Sequence, residues 1–109
     1  MIFVTGPLFS GKKDYIKNNY NISEEEFEKL VIENVQDMVT DEISENLVAL
    51  ADKLSQYEFV IATEVGGGVV PVDRDERIKR EAAGRLAVLL AQRADNAIRV
   101  VCGIPQILK

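Results

Sequence analysis

Three observations on this sequence predict an α/β fold. Short apolar runs of strand length alternate with amphipathic stretches of helical period, Gly and Pro close the runs, and a Gly-rich turn joins the first run to the first amphipathic stretch. With 109 residues and 47% hydrophobic content, the chain is expected to form a single domain, residues 1–109, around one core.

Met1 to Thr5 is apolar and closed by Gly6 and Pro7, the pattern of a strand buried on both faces. A helix is predicted from about Gly11 to Asn19. The acidic stretch Asn21 to Glu28 holds Ser23 three residues before Glu26, the spacing of a capping box, which predicts a short helix or turn. Leu30, Val31 and Ile32 read as a second strand ending at Glu33. From Asp41 onwards, Ile43, Leu47, Leu50, Ala51 and Leu54 recur at spacings of three and four, placing them on one core-facing helical side. Phe59 to Ala62 is a third buried strand that runs into Gly66, Gly67 and Gly68. A long helix is predicted over Asp73 to Ala94, followed by a fourth strand over Ile98 to Cys102, closed by Gly103 and Pro105. Strands separated by helices require crossover connections, so the sheet is predicted to be mostly parallel and covered on both faces.

Charge and composition exclude several functions. Acidic residues outnumber basic ones 18 to 13 for a net charge of -5, so the surface has no general attraction for a polyanion, and no nucleic-acid partner is expected. No apolar stretch approaches the roughly 20 residues that span a bilayer, and no membrane partner is expected. The lone Cys102 forms no internal disulfide and no signal-peptide pattern opens the chain, which points to the cytoplasm. Histidine is absent, which removes imidazole acid-base chemistry, imidazole metal ligands and any histidine-bound covalent intermediate.

The first chemical motif is Gly6-Pro7-Leu8-Phe9-Ser10-Gly11-Lys12-Lys13, set between the first strand and the first helix. A phosphate loop belongs there: backbone N–H groups and a helix N-terminus surround the phosphates, a lysine meets the outer ones, and a following Ser or Thr ligates magnesium. Lys13 stands at that last position. Gly6, Ser10, Gly11, Lys12 and Lys13 are therefore the candidate nucleotide-binding residues, with an ordinary Gly-rich turn as the plain alternative. The loop and the alternation of strands with helices together predict a P-loop-type parallel sheet of about four strands with flanking helices.

Glu33, at the carboxyl end of the second strand with Asp37 four residues on, is a candidate metal ligand or a solvated acid. Thr63-Glu64-Val65-Gly66-Gly67-Gly68 lies at the carboxyl end of the third strand, where open α/β sheets bind ligands. Gly66 and Gly68 would let backbone approach a cofactor closely, and Glu64 adds a charge at the same edge that could serve a metal or a reacting group. A flexible loop preceding a helix is the alternative.

From Thr63 to Lys109 the chain reads T-E-V-G-G-G-V-V-P, then R-x-x-R-E-x-x-G-R, then A-D-N-A-I-R-V-V-C-G-I-P-Q-I-L-K. These elements resemble the C-terminal half of the adenosylcobinamide kinase / adenosylcobinamide-phosphate guanylyltransferase family of cobalamin assembly. V-T-G-P-L-F-S-G-K-K at the start is similar to that family's phosphate loop, and L-V-I-E-N-V-Q-D-M-V to its second acidic strand, with Glu33 at the acid's position. The resemblance implies a P-loop kinase-like fold, ATP or GTP, Mg2+, phosphoryl transfer to a corrinoid side-chain hydroxyl and a homo-oligomer. It also implies roles: Lys12 stabilising the transferred phosphoryl group, Glu33 or Glu64 holding magnesium, and Arg77 or Arg80 contacting phosphate or substrate.

The departures are specific. Family members are longer between the first helix and the Glu33 strand, and that segment carries the histidine that accepts the guanylyl group. Lys13 replaces a magnesium-ligating hydroxyl, Glu81 stands where the family has Asp, and Ala87 and Val88 where it has Asn and Gln. The chain thus resembles a shortened, altered member without histidine-based guanylyl transfer. Two functions are compatible with it: a residual cobinamide kinase using Lys12, Glu64 and Arg80, or a non-catalytic nucleotide-binding, anion-binding or interaction protein that keeps the fold.

Overall fold

The continuous apolar runs that mark buried strands are realised in a five-stranded sheet seen in a computed structural model, which describes residues 1–39, 46–65 and 73–109. The strands are β1 (Ile2–Gly6), β2 (Val31–Ile32), β3 (Phe59–Thr63), β4 (Asn96–Val101) and β5 (Ile104–Ile107). Their order across the sheet is β2-β3-β1-β4-β5. The first four run parallel, and β5 returns antiparallel to β4. The chain leaves β1 for the β3 side and comes back to it from the β4 side, so the carboxyl end of β1 is the switch point of the topology.

Among the described residues four helices cover the sheet: α1 (Lys12–Tyr20), α2 (Glu24–Leu30), α3 (Leu47–Leu54) and α4 (Arg74–Arg93), with a 3₁₀ turn at Val35–Met38. Because side chains alternate along a strand, neighbouring strand residues enter different cores. Phe3, Val60, Ala62 and Ala97 pack with the 3₁₀ turn, α3 and α4 through Val35, Leu47, Ala51, Leu54, Leu86 and Leu90. Val4, Phe59, Ile61, Ile98 and Val100 pack on the opposite face with Ile16 of α1 and Phe27 of α2. The sheet is thus buried between two helical layers, as continuous apolar strands require.

Local sequence explains the element ends. Ser23 and Glu26 form the predicted capping box: the Ser23 hydroxyl accepts from the Glu26 N–H at 3.2 Å, and the Glu26 carboxylate accepts from the Ser23 N–H at 3.4 Å. Asp73 caps α4 by accepting from the Asp75 N–H at 2.9 Å. At the far end of α4 the Lys109 ammonium donates to the carbonyls of Ala91 and Gln92, two of the groups a helix C-terminus leaves unpaired. Arg93 joins α4 to α3 through Asp52, with Nε donating to the carboxylate at 2.8 Å.

Three expectations need correction. The sheet has five strands rather than about four, because Cys102 and Gly103 do not end it but form a two-residue turn. Both adopt positive φ, 52° and 74°, the geometry of the tight hairpins whose twist suits paired strands. Pro105 is accommodated because β5 is an edge strand. Leu30 belongs to α2 rather than to the second strand, and the fourth strand runs from Asn96 to Val101. The expected helix over Leu47, Leu50, Ala51 and Leu54 is α3, whereas Ile43 lies outside the described residues, as do Gly66, Gly67 and Gly68. No helix among the described residues is long and apolar enough to cross a membrane.

Two glycines make opposite predictions. A Cβ on Gly6, where φ is 149°, would stand 2.2 Å from the Val100 carbonyl oxygen. Gly6→Ala is therefore expected to cost at least about 2 kcal/mol, through overlap with backbone that cannot rotate away. Gly84, inside α4, has nothing within 4 Å of a Cβ. Gly84→Ala should stabilise the protein by about 0.5–1 kcal/mol through helix propensity alone. Denaturant unfolding of both variants checks the pair, and a Gly6→Ala protein as stable as the parent would contradict the close packing at the end of β1.

Candidate functional site

The carboxyl end of β1 leads into a loop whose shape is set by backbone. Gly6 adopts φ 149°, Phe9 φ 56° and Gly11 φ 90°, so the chain reverses over Pro7 to Ser10 before entering α1. Two neighbours brace the turn. The Glu64 N–H donates to the Gly6 carbonyl at 2.8 Å, and the Gly103 N–H donates to the Ser10 carbonyl at 2.7 Å. Phe9 remains 94% exposed at the tip while Ser10 is buried.

Lys12, the first residue of α1, turns its side chain back into this loop and is only 8% exposed. Its ammonium donates to the Pro7 carbonyl at 2.6 Å and lies 3.4 Å from both the Gly6 carbonyl and the Ser10 hydroxyl. These acceptors are what make burial of the charge tolerable. Desolvation pushes Lys12 below the ordinary lysine range, and the nearby Glu64 carboxylate works against that shift. Gly11, the N-cap of α1, offers the first turn no side-chain acceptor, so the helix end with its partial positive charge is not capped from its own sequence. A cavity of about 370 Å³ opens here, lined among others by Phe9, Gly11, Lys12, Lys13, Glu33 and Thr63. That size falls in the range of small-ligand sites, about 300–1,000 Å³.

The predicted residues Gly6, Ser10, Gly11, Lys12, Lys13 and Glu33 are thus brought together at one sheet edge. Lys13 does more than occupy a hydroxyl's position: its ammonium is 3.1 Å from the Glu33 carboxylate, at the end of β2. The same ammonium lies 5.9 Å from the centre of the Phe27 ring.

Glu64 is at the same edge with its carboxylate fully engaged. Arg99 of β4 reaches across the end of β1, donating from Nε to Oε1 at 2.5 Å and from Nη2 to Oε2 at 2.9 Å. This fork holds Glu64 below the usual carboxylate range, with burial opposing and Lys12 assisting, and raises Arg99 in turn. A smaller cleft of about 130 Å³ lies beside Glu64, between Thr5, Thr63 and the α4 residues Ala83, Gly84 and Ala87. Arg80, half-buried, sits on α4 one turn before these residues, at the spacing that shares a helical face. Gly66 and Gly68 are not among the described residues.

Sequence reasoning passed over three groups. Arg99 was signalled by a lone charge inside an apolar strand, Ile98-Arg99-Val100. Gln36 accepts the Thr63 N–H at 2.9 Å, finishing β3 where the two-residue β2 has stopped, and no sequence pattern marks it. The Gly103 brace depends on the hairpin that sequence reading did not foresee.

The family described as cobinamide kinase / cobinamide phosphate guanyltransferase matches residues 24–108, from α2 to the end of the chain's last strand. The loop of Gly6 to Lys12 precedes that span. No individually curated protein matches the chain. Since the matched span takes in Glu33, Glu64, α4 and the Arg99 strand, four-fifths of the sequence carries the relationship: the chain belongs to the cobinamide kinase / cobinamide phosphate guanyltransferase family.

Proposed function

We propose that the protein is a P-loop nucleotide-binding protein whose loop Gly6 to Lys12 takes the phosphate groups of ATP or GTP. The observation that supports this best is the buried Lys12 ammonium, held by loop carbonyls beside an uncapped helix N-terminus and a cavity. An entering phosphate replaces neutral acceptors with charged ones, which strengthens the hydrogen bonds to the ammonium. In the kinase form of this reading, Lys12 stabilises charge on the transferred phosphoryl group, and Arg80 contacts phosphate or a corrinoid hydroxyl substrate at the cleft beside Gly84. Glu64, with both oxygens engaged by Arg99, serves as a negative charge that opposes the desolvation of the Lys12 ammonium. Cytoplasmic cobalamin assembly is the corresponding setting.

A second reading has its own support. Lys13 in place of a hydroxyl, and the pairing of both candidate metal-binding acids with cations, favour a protein that binds nucleotide or anion without turnover. A turnover assay with ATP and GTP against cobinamide separates the two readings.

We also propose association into a homo-oligomer. Ile104 and Ile107 are 69% and 66% exposed on the edge strand β5, apolar side chains on its two faces that a second copy pairing along this edge would cover. Light scattering should give a mass well above the 12.1 kDa of one chain, and a monomer at high concentration would overturn this assignment.

Calorimetry should detect ATP, GTP or inorganic phosphate at the loop, and Lys12→Ala should abolish it. Because Lys12 must be protonated to bind, affinity should fall as pH rises through its depressed value. Glu64→Gln removes the charge that opposes this depression, so the alkaline fall should move to lower pH. An unmoved or oppositely moved limb would remove Glu64 from this role.

The chain holds no histidine, so no histidine-bound guanylyl intermediate can form. Incubation with labelled GTP followed by denaturation should therefore leave the protein unlabelled. Stoichiometric acid-labile label would show that another side chain accepts the guanylyl group.

A further inference from the structure

A magnesium ion bound with a nucleotide in a loop of this kind needs oxygen donors at about 2.0–2.1 Å in near-octahedral array. The donors present here do not fit one. The residue after Lys12 is Lys13, whose ammonium is 3.1 Å from the Glu33 carboxylate. Glu64, also at the sheet edge, gives both oxygens to Arg99, and Asp14 reaches the cavity from the first turn of α1 as a single exposed carboxylate. Among the described residues, no group of three or more His, Cys, Asp or Glu side chains is gathered to hold a metal.

A cation nevertheless stands at this place. Lys13 and Glu33 both line the cavity at the loop, together with Lys12 and the first turn of α1. Lys12 and Lys13 are consecutive, so one ammonium is folded into the loop and the other is directed to the β2 side of the same opening. An ammonium has three donors, and Glu33 takes one direction among them. Glu33 also anchors the flexible lysine stem, and the Phe27 ring lies beside the ammonium at 5.9 Å. With Lys13 half-exposed, the charge is reachable from solvent without displacing a buried partner.

We infer that the Lys13 ammonium, held by Glu33, takes the place of the divalent cation, so that this site binds the polyphosphate of a nucleotide without metal. This rests on the reading of the loop as a phosphate site. The physical basis is charge balance: a triphosphate beside Lys12 alone would retain several uncompensated charges, and a second fixed cation at the opening reduces that repulsion. Glu33 is then an anchor for an ammonium rather than a metal ligand. A side-chain ammonium also cannot leave, so the anion site has the same charge at every magnesium concentration.

Titration calorimetry with ATP and with inorganic tripolyphosphate, each in magnesium and in EDTA, tests this. The expected result is a Kd that differs by less than about threefold between the two buffers, a difference well under 1.4 kcal/mol. Lys13→Thr restores a hydroxyl and should weaken binding in EDTA by at least about tenfold while making magnesium strengthen it. Glu33→Gln should keep binding in EDTA and gain nothing from magnesium, since it removes an anchor but no cation. Melting curves of both variants without ligand identify any loss of fold. Wild-type binding that appears only with magnesium, or that Glu33→Gln weakens only in magnesium, overturns the inference while leaving the phosphate site standing. No binding in either buffer overturns the phosphate site itself and this inference with it.

Discussion

The structure depends on the closeness of β1 to its two neighbours at Gly6. There the strand ends with a Cα so near the Val100 carbonyl that no side chain fits, and the Gly6 carbonyl is fixed by the Glu64 N–H. That contact decides where the loop begins. It sets the left-handed turns at Phe9 and Gly11, the entry angle of α1, and so the direction in which Lys12 returns into the loop. The site is not built from side chains placed on a finished scaffold. Its central lysine is buried because the backbone around it curls, and the backbone curls because the strand has to stop at a glycine.

Electrostatics at the sheet edge follow from that frame. Three cations stand at this end of the sheet, and each has a defined counterpart: Lys12 the loop carbonyls, Lys13 the Glu33 carboxylate, Arg99 the Glu64 carboxylate. The chain is acidic overall, yet the loop end is organised around positive groups, so a phosphate reaching it meets a field unlike that of the surface at large. The hairpin formed by β4 and β5 also belongs to this arrangement, since its turn residue Gly103 holds the Ser10 carbonyl from the side opposite Glu64.

Much of this was legible in the residues. The apolar runs at Met1 to Thr5 and Phe59 to Ala62 are β1 and β3, the Ser23 and Glu26 pair is a capping box, and Gly6 to Lys12 joins a strand to a helix. The periodic apolar residues of α3 and the long stretch of α4 face the core as their spacing required. What escaped was whatever depends on contacts between distant segments. Arg99 lies on a strand thirty-odd residues after its partner Glu64, and nothing local tells which acid it meets. Lys13 read as a lost hydroxyl, because its gain, the pairing with Glu33, exists only once β2 lies beside the loop. The β5 hairpin was hidden by its turn residues: cysteine is a poor advertisement for positive φ, and Pro105 argued against a strand.

The position of β1 has a consequence for how the chain reaches this state. It precedes the other described strands in the chain and is the innermost strand of the sheet, with Ile2 registered against Phe59 on one side and Asn96 on the other. Both neighbours lie far along the chain from it, so β1 must wait for distant segments before its hydrogen-bonding edges are paired. Loop-closure entropy of this size makes such sheets slow to assemble, and an unpaired apolar edge invites foreign strands meanwhile. The segment that leads into the loop Gly6 to Lys12 is therefore one whose pairing waits on distant partners, and its apolar edges stay open until they arrive.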